Sequence, residues 1–309
     1  MLSTKNLIDI SDLKIEDINL ILENADSFNE VLERDFKKVP ALRGKTVLNM
    51  FFESSTRTRN SFELAAKRLS ADTVNFSAST SSLKKGESII DTIKTMRSMI
   101  VDLAVIRHSD SGILNFIASN TDLPIINAGD GKHQHPTQAL LDLYTIKKSF
   151  GILKGLKVAI VGDILNSRVA RSNTVLFKKM GMDVTVVSAS MLLPENMDFF
   201  AVKTVDEIDE IIEIADVIYM LRMQFERQEK KYYPSVKEYN RYLGMDLKRF
   251  KLMKDDSILM HPGPVNRGIE ISQQVMDLES ISRDRIKIGE QVRNGLAIRM
   301  ALIYLVLTN

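Results

Sequence analysis

At 309 residues the chain is long enough for two domains of about 150 residues each. Its 42 Lys and Arg against 40 Asp and Glu leave a net charge of +2, which excludes a general nucleic-acid binder with its concentrated basic excess. With no cysteine and only four histidines, disulfides, thiol nucleophiles and Cys-type metal sites are excluded and a His-rich site is disfavoured, so neither metal nor cofactor is expected.

The chain opens MLSTKNLIDISDLKIEDINLIL, and Asp9, Asp12, Glu16 and Asp17 there are wrong for a secretory or transit peptide. The longest apolar stretch, Gly295 to Leu307, is broken by Arg299 and too short to span a bilayer. It reads as a buried helix. A soluble, cytoplasmic protein without membrane contact is therefore expected, and no repeat or low-complexity tract is evident.

Leu13 to Phe28, with Ile15, Ile18, Ile21 and Leu22, reads as an amphipathic helix capped by Ser11/Asp12. Lys45 to Phe52 is an apolar run that reads as a buried parallel strand, and from Arg57 the period becomes helical through Phe62, Ala65, Ala66 and Leu69. Between them lies Glu53-Ser54-Ser55-Thr56-Arg57-Thr58-Arg59. A strand entering a hydroxyl-rich turn and a helix start aims backbone N–H groups at one spot. Ser55, Thr56 and Thr58 add donors there, and Arg57 and Arg59 add guanidinium forks suited to phosphate. A helix cap alone does not explain two arginines at the positive end of a helix dipole. The stretch reads as an anion site.

Thr73 to Phe76 reads as a strand, and Ser77 to Glu87, SASTSSLKKGE, as a polar loop whose Ser82, Lys84 and Lys85 suit a lid over an anion. Ile89, Ile93, Met96 and Ile100 mark a helix, and Asp102 to Ile106 a strand with Arg107-His108 at its carboxyl end, where open parallel sheets bind ligands. Ser111 to Asn120 is a helix and Pro124 to Asn127 a strand running into Ala128-Gly129-Asp130-Gly131-Lys132-His133-Gln134-His135-Pro136-Thr137-Gln138. The P-loop pattern is absent. Pro136 fits the first turn of a helix to Phe150, which places His135 and Gln138 at its amino end, while His133 reads as structural.

Ser149 to Gly155 is the candidate boundary between domains 1–149 and 150–290, and a closing helix, 291–309, is expected to pack back on the first. Lys157 to Asp163 starts a second α/β unit, but G-x-G-x-x-G is missing, against a dinucleotide-binding oxidoreductase. Arg168 and Arg171 stand at the next helix start, a carboxylate or phosphate site with one of the two solvated. Asp183 to Val187 is a strand, Val205 to Ile214 an acidic amphipathic helix and Val217 to Leu221 a strand, followed by Arg222-Met223-Gln224-Phe225-Glu226-Arg227. Gln228 to Met245 reads as a long loop. Ser257 to Met260 is the last strand and ends in His261-Pro262-Gly263-Pro264-Val265-Asn266-Arg267-Gly268, an irregular turn whose carbonyls suit an amine or amide.

Phe51 to Glu63, F-x-E-x-S-T-R-T-R-x-S-F-E, resembles the carbamoyl-phosphate motif of the aspartate and ornithine carbamoyltransferases. H-P-T-Q at 135–138, S-x-x-K-G-E at 82–87 and R-x-Q-x-x-R at 222–227 are similar to further motifs of that family. H-P-x-P-x-x-R-G at 261–268 resembles its aspartate rather than its ornithine members, with Gly263 where some carry Leu. The resemblance spans about Phe51 to Leu307 and implies an α/β fold of two similar-sized domains, each a mostly parallel sheet flanked by helices, with the active site in the interdomain crevice.

It further implies carbamoyl transfer from carbamoyl phosphate to L-aspartate, giving N-carbamoyl-L-aspartate and phosphate in pyrimidine synthesis. By the same resemblance Ser55, Thr56, Arg57, Thr58, Ser82, Arg107, His135, Gln138, Pro262 and Gly263 bind carbamoyl phosphate, with His135 on its carbonyl oxygen and Gln138 on its amide. Lys85, Arg168, Arg222 and Gln224 bind aspartate, and Arg57, Thr58, Lys85, Arg107 and His135 serve catalysis. Arg227 is a candidate partner for Glu53, clamping the domains. A homotrimer with shared active sites is implied, the 82–87 loop reaching a neighbouring subunit; attachment of regulatory chains or other pathway enzymes stays open. The alternatives are an ornithine-type transferase, which Arg168 and Arg222 oppose, an NAD(H) enzyme, and a silent chain that binds phosphate metabolites without turnover.

Overall fold

The structure is a computed structural model and describes residues 1–77, 87–224 and 235–309. Ser82, Lys84, Lys85 and Arg227 lie outside those residues. The chain divides into two units, Met1–Tyr144 with Arg293–Asn309, and Thr145–Val292.

The first unit opens with α1 (Ile15–Glu33) and continues through β1 (Thr46–Phe51), α2 (Thr56–Arg68), β2 (Asp72–Ser77), α3 (Ile89–Ser98), β3 (Leu103–His108), α4 (Ile113–Ser119), β4 (Ile125–Asp130) and most of α5 (Pro136–Phe150). Its four strands are all parallel, in the order β2-β1-β3-β4. Val47, Leu48 and Met50 on β1 and Leu103 to Ile106 on β3 are fully buried. That is the continuous apolar pattern of a strand covered on both faces. The amino-terminal segment covers the start of the β4 edge, with Leu7 N donating to Ile125 O at 2.8 Å and Asn127 N to Leu7 O at 2.8 Å.

The second unit contains β5 (Lys157–Val161), α6 (Arg168–Lys179), β6 (Asp183–Val187), β7 (Lys203–Val205), β8 (Val217–Met220), α7 (Val236–Leu243), α8 (Leu247–Leu252), β9 (Ile258–Met260) and α9 (Gln273–Asp277). Its five strands are also parallel, ordered β7-β6-β5-β8-β9. Each unit is thus a parallel sheet flanked by helices, as the alternating patterns predict. Helix α10 (Ile288–Leu307) begins in the second unit, and its residues from Arg293 onward belong to the first. Ala297, Ile298, Met300, Ala301, Leu302 and Ile303 are fully buried, so this apolar stretch is a core helix. Among the described residues no helix is long and apolar enough to cross a membrane.

Four local expectations fail for identifiable reasons. Val205 to Ile214 is a short strand end followed by a 3-10 turn, Ile208–Glu210. The Glu210 carboxylate accepts from Asp206 N and Glu207 N at 3.2 and 3.3 Å, a capping box that starts the turn at Glu207, but residues 211–214 continue as turn and not as helix. Ser11 and Asp12 do not cap α1. They sit in a 3-10 turn capped by Asp9, while α1 starts from Lys14, whose N–H is taken by Asp17 at 2.9 Å. Ile100 lies past the end of α3 with a positive φ of 62° and is exposed. The 228–245 stretch, read as loop, contains α7, whose Tyr239 and Leu243 enter the core.

Gly295 on α10 is needed for packing. A Cβ there would meet Arg299 Nη1 at 2.6 Å and Leu141 Cδ2 at 3.0 Å. Alanine favours a helix by about 1 kcal/mol over glycine, but overpacking a filled core costs about 1–3 kcal/mol. Gly295→Ala is accordingly expected to lower the midpoint of urea unfolding; a stabilised variant would contradict this packing.

Candidate active site

In open parallel sheets ligands bind at the carboxyl edge where the strand order reverses, because the two adjacent loops part in opposite directions there. In the first unit β1 leads to β2 on one side and has β3 on the other, so the reversal lies between β1 and β3. The segments leaving these strands are Phe52–Thr56 and the Arg107-His108 end of β3. Register pairs Phe51 with Arg107, and Phe52 N donates to Arg107 O at 2.9 Å.

Arg107 is largely buried and held from two sides. Its Nη2 donates to Glu53 Oε1 at 2.9 Å and its Nη1 to Ala128 O at 3.3 Å, while Nε has no hydrogen-bond partner among the described residues. The expected pairing of Glu53 with Arg227 lies outside the described residues; Glu53 pairs with Arg107. The cause is strand register, which brings residues 54 apart in sequence side by side. Beside this pair α2 begins, with Ser55 as N-cap but without a capping bond from its side chain, and with no acid in the first turn. Capping therefore does not account for the Ser55 hydroxyl. Thr56 and Arg57 are exposed, and Ser55, Thr58 and Arg59 half-buried.

The end of β4 delivers a second set of groups to the same edge. Asp130, fully buried, accepts from Asn127 Nδ2 (2.8 Å), Gly112 N (2.8 Å) and Gln134 N (3.2 Å). The next residue must be glycine: Gly131 has φ 43°, and a Cβ there would meet Ser111 N at 2.5 Å. His135 follows, buried, with Nδ1 3.4 Å from Thr137 Oγ1 at the start of α5. Gln138 Nε2 donates to Asp142 Oδ1 at 3.0 Å, which assigns its Oε1 as the atom able to accept from a ligand amide. His108 instead packs on Phe52, ring centroids 5.0 Å apart, and its Nδ1 accepts from Asp110 N.

Beneath both motifs lies Arg299 of α10. Its Nη1 donates to Ser61 Oγ at 2.9 Å and to Gly295 O at 3.1 Å, and its guanidinium lies 5.2 Å from the Phe62 ring centroid. Burial pulls its pKa down to about 10, opposed by Asp142 and reinforced by Arg57.

In the second unit the reversal lies between β5 and β8. There β5 runs into Gly162–Ser167 and the start of α6, and β8 into Leu221–Gln224. Arg168, the first residue of α6, is buried; Ser167 caps the helix by accepting from Ala170 N. Arg171 is half-buried, 5.9 Å from the Phe200 ring, rather than solvated. Arg222 and Gln224 are half-buried.

Between those two residues, Met223 N donates to Glu270 Oε1 at 2.7 Å, and Asn266 N and Nδ2 donate to the same carboxylate at 2.7 Å each. Glu270 thereby ties the Arg222–Gln224 segment to the turn containing Pro262 and Gly263. Burial pushes its carboxyl up, against these donors. In that turn Gly263 has φ 62° and its N–H donates to His261 Nδ1 at 2.8 Å. Sequence reasoning missed Glu270 and Arg299. An ionisable residue inside an apolar run, Ile269-Glu270-Ile271 or Ala297 to Ile303, was the available signal.

The model of the aspartate/ornithine carbamoyltransferase carbamoyl-P binding domain matches residues 5–148, and that of the Asp/Orn binding domain residues 154–306. The chain belongs to the aspartate/ornithine carbamoyltransferase family. Among curated members of this carbamoyltransferase family, the aspartate carbamoyltransferase catalytic subunit of Syntrophotalea carbinolica is 51% identical over 98% of this chain and 95% of its own length. The crystal structure of aspartate transcarbamoylase from Trypanosoma cruzi in complex with carbamoyl phosphate and aspartate superposes with a TM-score of 0.88 at 28% identity, covering 98% of this chain and 97% of that one. The same enzyme in complex with N-(phosphonacetyl)-L-aspartic acid also gives 0.88, at 29% identity over 98% and 96%.

Proposed function

We propose that this chain is an aspartate carbamoyltransferase, moving the carbamoyl group of carbamoyl phosphate to the amine of L-aspartate with release of phosphate. The observation that carries the reading is the paired placement of cationic and amide groups at the strand-order reversals of two parallel sheets: Arg107 with the 55–59 turn on one, Arg168 with Arg222 and Gln224 on the other. The first set suits the phosphate of carbamoyl phosphate, with Ser55, Thr56, Arg57 and Thr58 as its cradle. His135, Arg107 and Thr58 suit the oxyanion that develops on the carbamoyl carbon, and Gln138 Oε1 the carbamoyl amide. Arg168, Arg222 and Gln224 suit two carboxylates, and Pro262 and Gly263 supply backbone contacts to the carbamoyl group.

This chemistry needs no covalent intermediate, because carbamoyl phosphate already carries a good leaving group. Holding the amine near the carbonyl carbon is worth roughly 7–11 kcal/mol, and one well-aimed oxyanion donor about 2.7–4 kcal/mol. Glu53 is engaged by Arg107 and Asp142 by Gln138, so neither is placed as a general base. The departing phosphate is assigned that role and takes the amine proton.

An ornithine-type activity is disfavoured by the two arginines and by the aspartate enzymes found as relatives. Ser82 and Lys85 are assigned to a lid that completes a neighbouring subunit's site, in a cytoplasmic homotrimer of pyrimidine biosynthesis. Incubating the purified chain with carbamoyl phosphate and either L-aspartate or L-ornithine, with light scattering for its mass, tests the reading. Carbamoyl-aspartate from a trimer is expected; citrulline as the main product, or neither, would overturn it.

A further inference from the structure

His133 lies in the turn that connects β4 to α5, two residues before His135, and both its ring nitrogens face carboxylates. Nδ1 is 3.1 Å from Asp130 Oδ2, and Nε2 is 3.2 Å from Asp9 Oδ2. A neutral imidazole carries a single N–H and would turn a lone pair on one of the two oxygens; only the imidazolium donates to both. Neither carboxylate is free to move away. Asp130 is fully buried and fixed by Asn127, Gly112 and Gln134. Asp9 is fixed by Ser11 N (2.8 Å) and Ser11 Oγ (2.7 Å), on a segment held to β4 through Leu7 and Asn127 Nδ2→Ile8 O (2.9 Å).

We propose that His133, as an imidazolium clamped between Asp9 and Asp130, is a positioning residue for carbamoyl transfer: it fixes the Asp130–Gln138 turn and thereby the place of the His135 ring. The proposal rests on the carbamoyltransferase reading for its kinetic consequence, but the clamp itself does not. Asp9 and Asp130 are the charged groups that act on His133, from the amino-terminal segment and the end of β4; Lys132 beside it in the chain is exposed. Hydrogen bonds to Asp130 and then to Asp9 outweigh burial and push the His133 pKa up to about 9. Burial raises the Asp9 carboxyl, yet the bonds from His133 and Ser11 outweigh it and leave it below its ordinary value. A base whose folded pKa exceeds its unfolded value of 6.5 stabilises the fold fully below 6.5, and that contribution is lost as pH rises through about 9. The clamp therefore holds across neutral pH and opens on the alkaline side.

The test is the pH dependence of kcat for the full chain, His133→Gln and Asp9→Asn, with ring-carbon NMR of both histidines. Wild-type kcat is expected to fall on an alkaline limb near pH 9. Asp9→Asn should shift that limb down by about one unit, having lost one carboxylate partner. His133→Gln should lower kcat roughly tenfold at pH 7 and remove the limb, with KM for carbamoyl phosphate changed less than threefold. A purely structural His133 would lower the melting temperature and leave the limb where it was, and that result overturns the proposal. If His133→Gln fails to fold, Asp9→Asn alone decides. If the wild type forms no carbamoyl-aspartate, the functional reading fails separately and the NMR decides the clamp. The His135 ring signals must then follow the titration of His133 near pH 9 and move with it in Asp9→Asn; a His135 signal indifferent to His133 refutes the clamp.

Discussion

Arg107→Ala is expected to lower kcat by about 10²–10³-fold, the effect of removing one preorganised donor worth about 2.7–4 kcal/mol in the transition state. The guanidinium is positioned in advance: Glu53 at 2.9 Å and the Ala128 carbonyl at 3.3 Å hold it at the carboxyl end of β3, so little reorganisation is needed when negative charge develops nearby. Its side chain is only 11% exposed, which keeps water from screening that charge. Arg107→Lys should rescue little, because an ammonium cannot contact Glu53 and a ligand oxygen through a planar fork. Steady-state kinetics on both variants, with circular dichroism to confirm the fold, checks this. Turnover within threefold of wild type in Arg107→Ala would remove Arg107 from the reaction.

Arg299→Met should act on stability instead. The side chain is buried and donates to the Ser61 hydroxyl and the Gly295 carbonyl, and the charge of Asp142 favours its charged form, so its removal orphans a hydroxyl and takes away that attraction. Leaving a buried polar group without its donor costs about 1–3 kcal/mol. Relief of repulsion with exposed Arg57 is screened by solvent and offsets little of it. Replacing Asp142 by Asn in the same chain should give a loss smaller than the sum of the two single losses, since the two charges act on each other. Urea unfolding of the single and double variants measures both. A single variant within 0.5 kcal/mol of wild type, on the order of an ordinary surface change, would show that the buried contacts of Arg299 do not hold the fold.

The two residues differ in how they could be found. Arg107 was readable because a basic side chain at the end of an apolar strand breaks a local pattern. Its partner was not readable, because Glu53 reaches it through β1–β3 register, a pairing that no window of sequence contains. Arg299 sits in an apolar run where periodicity reports only a buried helix, and nothing local says that Ser61 and Asp142 wait for it. His133 read as structural, and no local pattern pointed to its contacts with Asp9 and Asp130. Its charge became visible only once a segment more than a hundred residues earlier was laid along β4.

Taken alone, the amino-acid sequence determined the local chemistry of this protein. Strands such as Asp183–Val187 and the helix Pro136–Phe150 follow from side-chain period, and the hydroxyl- and arginine-rich turn at 53–59 follows from residue type. Period was misleading at 205–214, where a capped 3-10 turn and further turn residues stand in place of the helix. Tertiary structure alone decided the strand orders and their reversals, and with them which distant polar groups meet: Glu53 with Arg107, His133 with Asp9, Glu270 with the Met223 N–H. The reason is that periodicity is a property of neighbours along the chain, whereas an ion pair in a parallel sheet joins residues separated by whole crossover connections.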